Sequence, residues 1–319
     1  SGRSGAARSE QMLSESSSWK KWRWWLAACG LALISFGAMG AASVFRHATF
    51  RSNALDLGYL DQVVWNTAHG APFANTIKGD NWPSYLAGHF APAIALLAPL
   101  VWVWDDVRVL LLAQAGALAL AGLPVYALFR RYGNWVALAV LAAFYVNPWL
   151  HRGNLHDFHT MLLAAPLVSL AVFAVVRHRY TLATVALLAA LPVKEDMGLV
   201  MALFGLYLLL FQRKDACRWG MVLLIVGLLW VGLAVLVVIP WFAASDGYRI
   251  MGFRYAFLGE TPAEAMWTLI RDPLVAVRQV LRQDKPLALV RFLASMAFLP
   301  LLGGGFLVVA LPLIWYLQL

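Results

Sequence analysis

The sequence predicts an all-α protein, a polytopic membrane bundle of about eight spanning helices, with juxtamembrane helices in its first outer loop. Of 319 residues, 62% are hydrophobic and only 13% are charged, whereas soluble proteins contain about 45–50% apolar and about 25% charged residues. The mean hydropathy is +0.71, and apolar runs long enough to cross a bilayer as helices recur along the chain. This composition excludes a soluble enzyme, a disordered scaffold and a disulfide-rich secreted module. The two cysteines, Cys29 and Cys217, show no disulfide or metal-binding spacing.

The first predicted element is a spanning helix behind a polar tail. Residues 1–18 are polar, small and rich in serine, which predicts a flexible tail, and residues 19–319 form the predicted transmembrane domain. Segment 19–25 interleaves tryptophan with lysine and arginine, a composition more typical of an interfacial anchor than of a nucleic-acid site. Because the apolar run 26–44 is longer than the core of a signal peptide, we expect an uncleaved span with a cytoplasmic N-terminus.

The basic clusters predict how the remaining elements are oriented in the membrane. The net charge is +9, and clusters at 130–131, 177–179 and 213–218 lie between apolar runs, where the positive-inside rule predicts cytoplasmic loops. All three clusters fall on the cytoplasmic side only if run 89–104, which contains two prolines, does not cross the membrane and is a re-entrant or interfacial segment. The predicted spans are 26–44, 107–129, 135–150, 160–176, 181–193, 197–211, 219–243 and 291–317. The predicted outer loops are 46–106, 151–159, 194–196 and 244–290. Since the chain ends in or just after a span, we expect a C-terminal continuation.

Ionisable residues gather in these outer loops. The topology assigns to one face Asp56, Asp61, Asp80, His89, His151, His156, Asp157, His159, Lys194, Glu195 and Asp196. Charged groups at a membrane edge are costly and are usually paired or functional. We therefore expect a site on the outer face, built from several loops above the helical bundle.

The first outer loop holds two candidate carboxylates. Residues 53–70 have the apolar spacing of one amphipathic helix that ends at Gly70. Asp56 lies at its start, where it is either the N-cap or a functional group. Asp61 lies five residues on, about 140° further round the helix, so it is a secondary candidate or a structural partner of a cation or an amide.

Histidines mark the next two outer segments. His89 opens the re-entrant segment and is either an interfacial histidine or a donor to a phosphate. His156 and His159 can share one helix face, and together with Asp157 their spacing is compatible with a metal site.

The shortest outer connection is fully charged. Lys194, Glu195 and Asp196 join two spans directly, and a tight turn needs none of these charges, which favours a functional role over solvation. The last outer loop is nearly neutral, and the Thr261-Pro262 pair predicts the start of a surface helix there.

The arrangement resembles the GT-C superfamily of membrane glycosyltransferases, which use polyprenyl-phosphate sugars at the outer membrane face. The segments that carry the resemblance are 56–67, 88–92 and 194–198, and the similarity covers most of the chain from about residue 24. It is greatest to a bacterial branch of predicted multi-spanning membrane proteins. The resemblance implies a bacterial inner-membrane location, with the site on the periplasmic or outer face.

The resemblance also implies roles for the outer residues. Asp56, with Asp61 as the secondary candidate, would act as catalytic base or bind a divalent cation such as Mg²⁺ or Mn²⁺. His89 and Lys194 would contact the donor phosphate. Supporting acids would be Asp157, Glu195 and Asp196, and the candidate metal ligands are His156, His159 and Asp157. The implied partners are a polyprenyl-phosphate sugar and membrane lipids, with no nucleic acid.

Two other functions stay open at this stage. A non-catalytic scaffold or accessory subunit of a larger membrane complex would keep the fold and bind membrane-protein partners. A transporter of a lipid-linked substrate would need charges along a path through the bilayer, and the predicted mid-span regions carry almost none.

Overall fold

The computed structural model describes residues 2–77, 83–243, 257–259, 262–272 and 285–295, together with positions 274, 275, 278, 303–305, 307 and 308. In these ranges the regular structure is helical, and the extended backbone is limited to one isolated bridge between Ala74 and Ser84. The all-α prediction is therefore confirmed for the described part of the chain.

The α-helices alternate with short turns of tighter or wider helix. The α-helices in the described ranges are α1 (Gly2–Ala48), α2 (Tyr59–Ala68), α3 (Ala98–Val103), α4 (Arg108–Phe129), α5 (Asn134–Tyr145), α6 (Pro148–Leu155), α7 (Ala165–Val176), α8 (Tyr180–Ala190), α9 (Met197–Phe211), α10 (Cys217–Leu233), α11 (Ile239–Phe242), α12 (Pro262–Arg271) and α13 (Lys285–Ser295). The 3₁₀ turns are Tyr85–Ala87, Pro92–Leu97, Arg130–Tyr132, Thr160–Ala164, Leu191–Val193 and Lys214–Ala216. The π-helical turns are Ala54–Gly58 and Ala234–Val238.

Three helical segments are long and apolar enough to cross a membrane: Trp22–Ala48, Arg108–Tyr132 and Lys214–Phe242. Five apolar helical segments are shorter: Pro92–Val103, Asn134–Tyr145, Thr160–Val176, Tyr180–Val193 and Met197–Phe211. They correspond to four predicted spans and to the predicted re-entrant segment. The count of eight spans thus stays a prediction, and most of the predicted span 291–317 lies outside the described residues.

Two predicted boundaries differ from the structure. Helix α1 extends through segment 2–18, where the sequence predicts a flexible tail, because that segment includes alanine, glutamate, glutamine and leucine, which favour helix. The predicted span 135–150 is interrupted after Tyr145. The side chain of Asn147 there accepts a hydrogen bond from the Trp149 N–H, and Pro148 starts α6, which is how a new helix begins.

The bundle is held by closely packed helix pairs. Helix α1 packs on α4, α4 also packs on α5 and α7, and α9 packs closely on α10. In the last pair glycines let the backbones approach: a Cβ atom added at Gly198 would lie 2.6 Å from the Gly227 carbonyl oxygen. One added at Gly205 would lie 2.6 Å from the Gly220 carbonyl oxygen. Only glycine fits such a contact.

Segment 89–104, the predicted re-entrant segment, and α2 form a small apolar layer over the start of α4. Its buried members include Val63 and Val64 from α2, Ile94 from the 3₁₀ turn and Leu110 from α4. Since apolar burial supplies most of the favourable free energy of packing, this layer holds the first loop rigidly at one end of the bundle.

Candidate functional site

The predicted site residues converge on one end of the bundle. Helix α1 ends there, and α4, α7 and α9 begin there. We call it the acidic end. Arg46 from the last turn of α1 forms an ion pair with Asp157, which precedes α7. His89 from the re-entrant segment contacts Glu195, which precedes α9. The expectation that several loops meet at one face is met by this geometry.

The first fixed charge of the site is Asp157. Its side chain is only 4% exposed, one oxygen pairs with the Arg46 guanidinium, and the other accepts the Asn53 N–H at 3.0 Å. The residue has φ +67°, a conformation that aspartate tolerates better than most residues with a side chain. A buried charge is stable only when it is paired, so Asp157 ties the end of α1 and the start of the first loop to α7.

An amide network behind Asp157 fixes its backbone. Gln114 Nε2 of α4 donates to the Asp157 carbonyl at 2.9 Å, and Gln114 Oε1 accepts the His159 N–H at 2.7 Å. Asn154 Nδ2 donates to the Met39 carbonyl at 2.9 Å and to Ser43 Oγ at 2.7 Å. Both amides are buried, and their pairing fixes the register of α1, α4 and α6.

The second fixed charge is Glu195. Its two carboxylate oxygens accept His89 Nδ1 and the Phe90 N–H, both at 2.9 Å. Burial raises the pKa of Glu195, but the nearby His89, its hydrogen bond and Lys194 outweigh burial, so the pKa lies below its ordinary value. Because the ionised carboxylate can only accept, His89 Nδ1 carries the shared hydrogen. The other ring nitrogen, Nε2, makes no hydrogen bond within the described residues.

Aromatic side chains frame this pair. The Tyr85 ring lies 5.9 Å from the His89 ring, and Tyr85 interacts with Thr160, which begins the 3₁₀ turn before α7. Phe90 stacks on Trp230 of α10 with 4.8 Å between the ring centroids. Burial raises the pKa of Tyr85 far above its ordinary value, so the phenol stays neutral and polar at the wall of the site.

A third carboxylate of the site, that of Asp56, is not balanced by a close partner. Asp56 sits half-buried in the π-helical turn, and its carboxylate makes no hydrogen bond or ion pair within the described residues. The His156 and His159 rings are 5.0 Å apart. Burial, followed by His156, lowers the pKa of His159, while the Asp56 charge opposes this and Lys194 adds to it. Asp56, His159 and Lys194 are therefore electrostatic neighbours.

Asp56 is not the N-cap of its helix. That position belongs to Asn53, whose side chain accepts the Leu55 N–H at 2.9 Å. The helix nevertheless ends near Gly70, which has φ +86°, in agreement with the prediction. Since Asn53 performs the capping, the Asp56 carboxylate is available to a ligand.

Asp61 lies in a different environment from Asp56. Burial, followed by the carboxylates of Asp105 and Asp106, raises the pKa of Asp61, and His47 acts in the opposite direction. This acidic group lies beside the start of α4. The two candidate carboxylates therefore have separate neighbours, as the helical spacing predicts.

The three residues of the charged turn 194–196 make two different kinds of contact. Glu195 points into the protein, whereas Lys194 and Asp196 form an ion pair at 3.1 Å, with the Lys194 side chain 17% exposed. Lys194 thus remains accessible from outside.

The predicted metal set is not assembled. Within the described residues no group of three or more His, Cys, Asp or Glu side chains is arranged to hold an ion. His156 and His159 do lie together, but both oxygens of Asp157 are engaged by Arg46 and Asn53. The proposed ligand set of these two histidines with Asp157 is therefore not brought together.

Several residues of the site were not singled out from the sequence. Arg46, Gln114 and Tyr85 contact predicted members, whereas Asn154 bonds to Gln114 and Thr160 interacts with Tyr85. Gln114 had a usable signal, since a polar residue inside an apolar span is uncommon and usually paired. Of the outer-face set, Asp80 lies outside the described residues, and His151 bonds to the Tyr145 carbonyl at 2.8 Å.

Comparison with known proteins finds a similarity to one protein family. The model of a family described as predicted membrane protein, DUF2079, matches residues 46–319. No curated protein and no solved structure matches the chain.

Proposed function

We propose that this chain, which belongs to the DUF2079 family of predicted membrane proteins, is a membrane glycosyltransferase of the GT-C type. It would move a sugar from a polyprenyl-phosphate donor to an acceptor hydroxyl at the acidic end, on the outer face of the membrane. One observation carries the proposal. The Asp56 carboxylate is half-buried, makes no hydrogen bond or ion pair within the described residues, and acts electrostatically on His159, as Lys194 also does. The Arg46–Asp157 and His89–Glu195 contacts hold the surrounding loops.

The proposed chemistry divides between a base and a leaving-group site. Asp56 takes the proton of the acceptor hydroxyl while its oxygen attacks C1 of the sugar. The bond from C1 to the phosphate oxygen breaks, and polyprenyl phosphate leaves with the electron pair. Positive charge and fixed donors near that phosphate stabilise the transition state. Lys194 supplies the charge, and His89, held through Nδ1 by Glu195, donates from Nε2–H to the phosphate in its imidazolium form.

In this proposal Asp157, Glu195 and Asp196 act as positioning groups, because they are engaged by Arg46, His89 and Lys194 in the described structure. Asp61 supports the start of α4 and does not touch the substrate. A divalent cation would need a donor set that includes the substrate phosphate, with His156, His159 and Asp56 as the nearest protein groups.

The assignment is tested with Asp56→Asn, with Asp105→Asn as the matched control at a nearby exposed carboxylate. Asp56→Asn should lower transfer from a polyprenyl-phosphate sugar at least about 100-fold, the usual contribution of a general base, with unchanged thermal unfolding. Asp105→Asn should keep activity. Full transfer by Asp56→Asn with a verified donor and acceptor would refute the assignment.

Donor binding is measured separately by native mass spectrometry of the gently purified chain with polyprenyl phosphate. The wild-type chain and Asp56→Asn should both retain the lipid, whereas Lys194→Ala should lose it. Retention of the lipid by Lys194→Ala, to the same extent as by the wild type, would exclude Lys194 from the phosphate site.

A second candidate is a non-catalytic subunit of a membrane complex. The observation that favours it is that three of the predicted acids serve ion pairs of the fold itself. Stoichiometric co-purification of a membrane-protein partner, without any bound lipid phosphate, would favour this candidate over the transferase.

A further inference from the structure

At the end of the bundle opposite the acidic end, an apolar groove opens between α1 and α5. It has a volume of about 520 Å³, within the range of about 300–1,000 Å³ found for small-molecule sites. Its lining includes Ala27, Gly30 and Ile34 of α1 and Trp135, Leu138 and Ala142 of α5. We call it the α1–α5 groove. Small side chains on α1 create it, since a Cβ atom added at Gly30 would meet nothing within 4 Å.

Two arginines stack on tryptophans next to this groove. Trp135, which lines it, packs edge-on against Trp24 with 4.8 Å between the ring centroids. The Arg23 guanidinium carbon lies 5.1 Å from the Trp24 ring centroid, and that of Arg130 lies 5.3 Å from the ring centroid of Trp25. Stacked on aromatic rings, the two guanidinium groups are held at the level where headgroups of a bilayer lie.

These arginines have no anionic partner in the described part of the chain. No carboxylate there lies within 4.0 Å of Arg23, Arg130 or Arg131, and the buried Arg130 Nε lacks a hydrogen-bond acceptor. Helix α5 starts beside them at Asn134 without a side-chain cap, so its free N–H groups add positive potential. The remaining nitrogens of these guanidinium groups can donate to an anion, and Arg bonds to phosphate are among the stronger hydrogen bonds.

We infer that the α1–α5 groove binds one anionic phospholipid, with an acyl chain between Gly30 and Leu138 and the phosphate at Arg130 and Arg23. The charge next to the groove selects an anionic headgroup over a zwitterionic one. The apolar lining selects a chain that is already dissolved in the bilayer. The site is separate from the proposed transfer site. Arg23 lies at the opposite end of the apolar part of α1, Trp22–Ala48, from Arg46, and Arg130 directly follows α4, at the opposite end from Arg108.

The test is native mass spectrometry of the full chain in mild detergent, with phosphatidylglycerol and phosphatidylethanolamine of identical acyl chains. The wild-type chain should retain one phosphatidylglycerol in preference to phosphatidylethanolamine. Arg130→Gln should lower that retention about fivefold, the effect expected for one basic residue near an anionic lipid surface. Gly30→Leu should also lower it, because leucine fills the groove without a clash.

Two matched controls separate this site from general lipid adhesion. Gly232→Leu adds the same side chain to α10, where a Cβ atom also meets nothing within 4 Å. Arg218→Gln removes another arginine that stacks on a tryptophan, Trp219. Both controls should retain phosphatidylglycerol. Equal loss in variant and control, unchanged retention in Gly30→Leu, or no preference of the wild type for the anionic lipid would overturn the inference.

Discussion

The carboxylates at the acidic end differ in how their charge is balanced. Asp157 and Glu195 are buried and paired with Arg46 and His89, whereas Asp56 remains half-buried and unpaired within the described structure. Removing one member of a buried pair leaves an uncompensated charge, which costs more than the pair itself contributes. We therefore expect substitutions of the paired residues to lower stability, and substitution of Asp56 to lower activity.

The Arg46–Asp157 pair should be revealed by a double-mutant cycle. Arg46→Met leaves the Asp157 carboxylate buried without its cation and should lower the free energy of unfolding by about 3 kcal/mol. In an Asp157→Asn background, which keeps a residue suited to positive φ, the same change should cost under about 1 kcal/mol. Tryptophan fluorescence during thermal or denaturant unfolding measures both, and equal costs in the two backgrounds would contradict the pairing.

Glu195 should make the fold sensitive to acid. Its folded-state pKa lies below the ordinary value of 4.5, so its contribution to stability is present above pH 4.5 and is lost as the pH falls through the folded-state pKa. Unfolding midpoints recorded between pH 7 and pH 3 should therefore fall less steeply for Glu195→Gln than for the wild type. Parallel profiles would mean that this carboxylate titrates as it does in the unfolded chain.

At the scale of elements, glycine spacing determines how closely helices approach. Helices α9 and α10 meet at two glycine pairs, Gly198 with Gly227 and Gly205 with Gly220. Small residues of this kind permit close helix packing in membranes. The α9 side of this pair begins directly after Glu195, so the packing also positions the charged turn.

Gly205→Leu should separate α9 from α10, because the new side chain would meet the backbone of Gly220 and Leu224. Overpacking of this kind costs about 1–3 kcal/mol and sometimes more, and here the clash is with backbone, which cannot move aside as a side chain can. The unfolding midpoint should fall, while Gly232→Leu on α10 should leave it nearly unchanged. A wild-type midpoint for Gly205→Leu would show that the helices lie further apart.

For the whole molecule, the acidic and basic ends define its orientation. Arg130 and Arg131 lie at the end of α4, and His156 and Lys194 lie at the opposite end of the bundle. The positive-inside rule predicts that the arginine end is cytoplasmic. The proposed donor site would then face outward.

Cysteine labelling tests this orientation. With Cys29 and Cys217 replaced by serine, His156→Cys places a thiol at an exposed position of the acidic end, and Arg131→Cys places one at the basic end. A membrane-impermeant maleimide should label the first variant in intact cells and the second only after lysis. The reverse pattern would place the acidic end in the cytoplasm and rule out an outward-facing site.

The all-α class, the apolar helical segments and the gathering of charge at one end all follow from hydropathy and basic clusters. These are local properties, because a segment's transfer to lipid and its helical period depend on its own residues. The candidate set around Asp56, His89 and Lys194 rests on the same local properties and stays a prediction.

The interaction partners of the site residues are determined by tertiary packing and not by local sequence. Arg46 meets Asp157 across 111 positions, and His89 meets Glu195 across 106. No local pattern encodes such distances, because they depend on how α1, α4, α7 and α9 pack. Likewise Asn53 takes the N-cap from Asp56, and the groove at Gly30 exists only because α5 leaves space there. Composition therefore specifies where charge and lipid contact occur, while side-chain packing specifies which charges are neutralised and which remain available for chemistry.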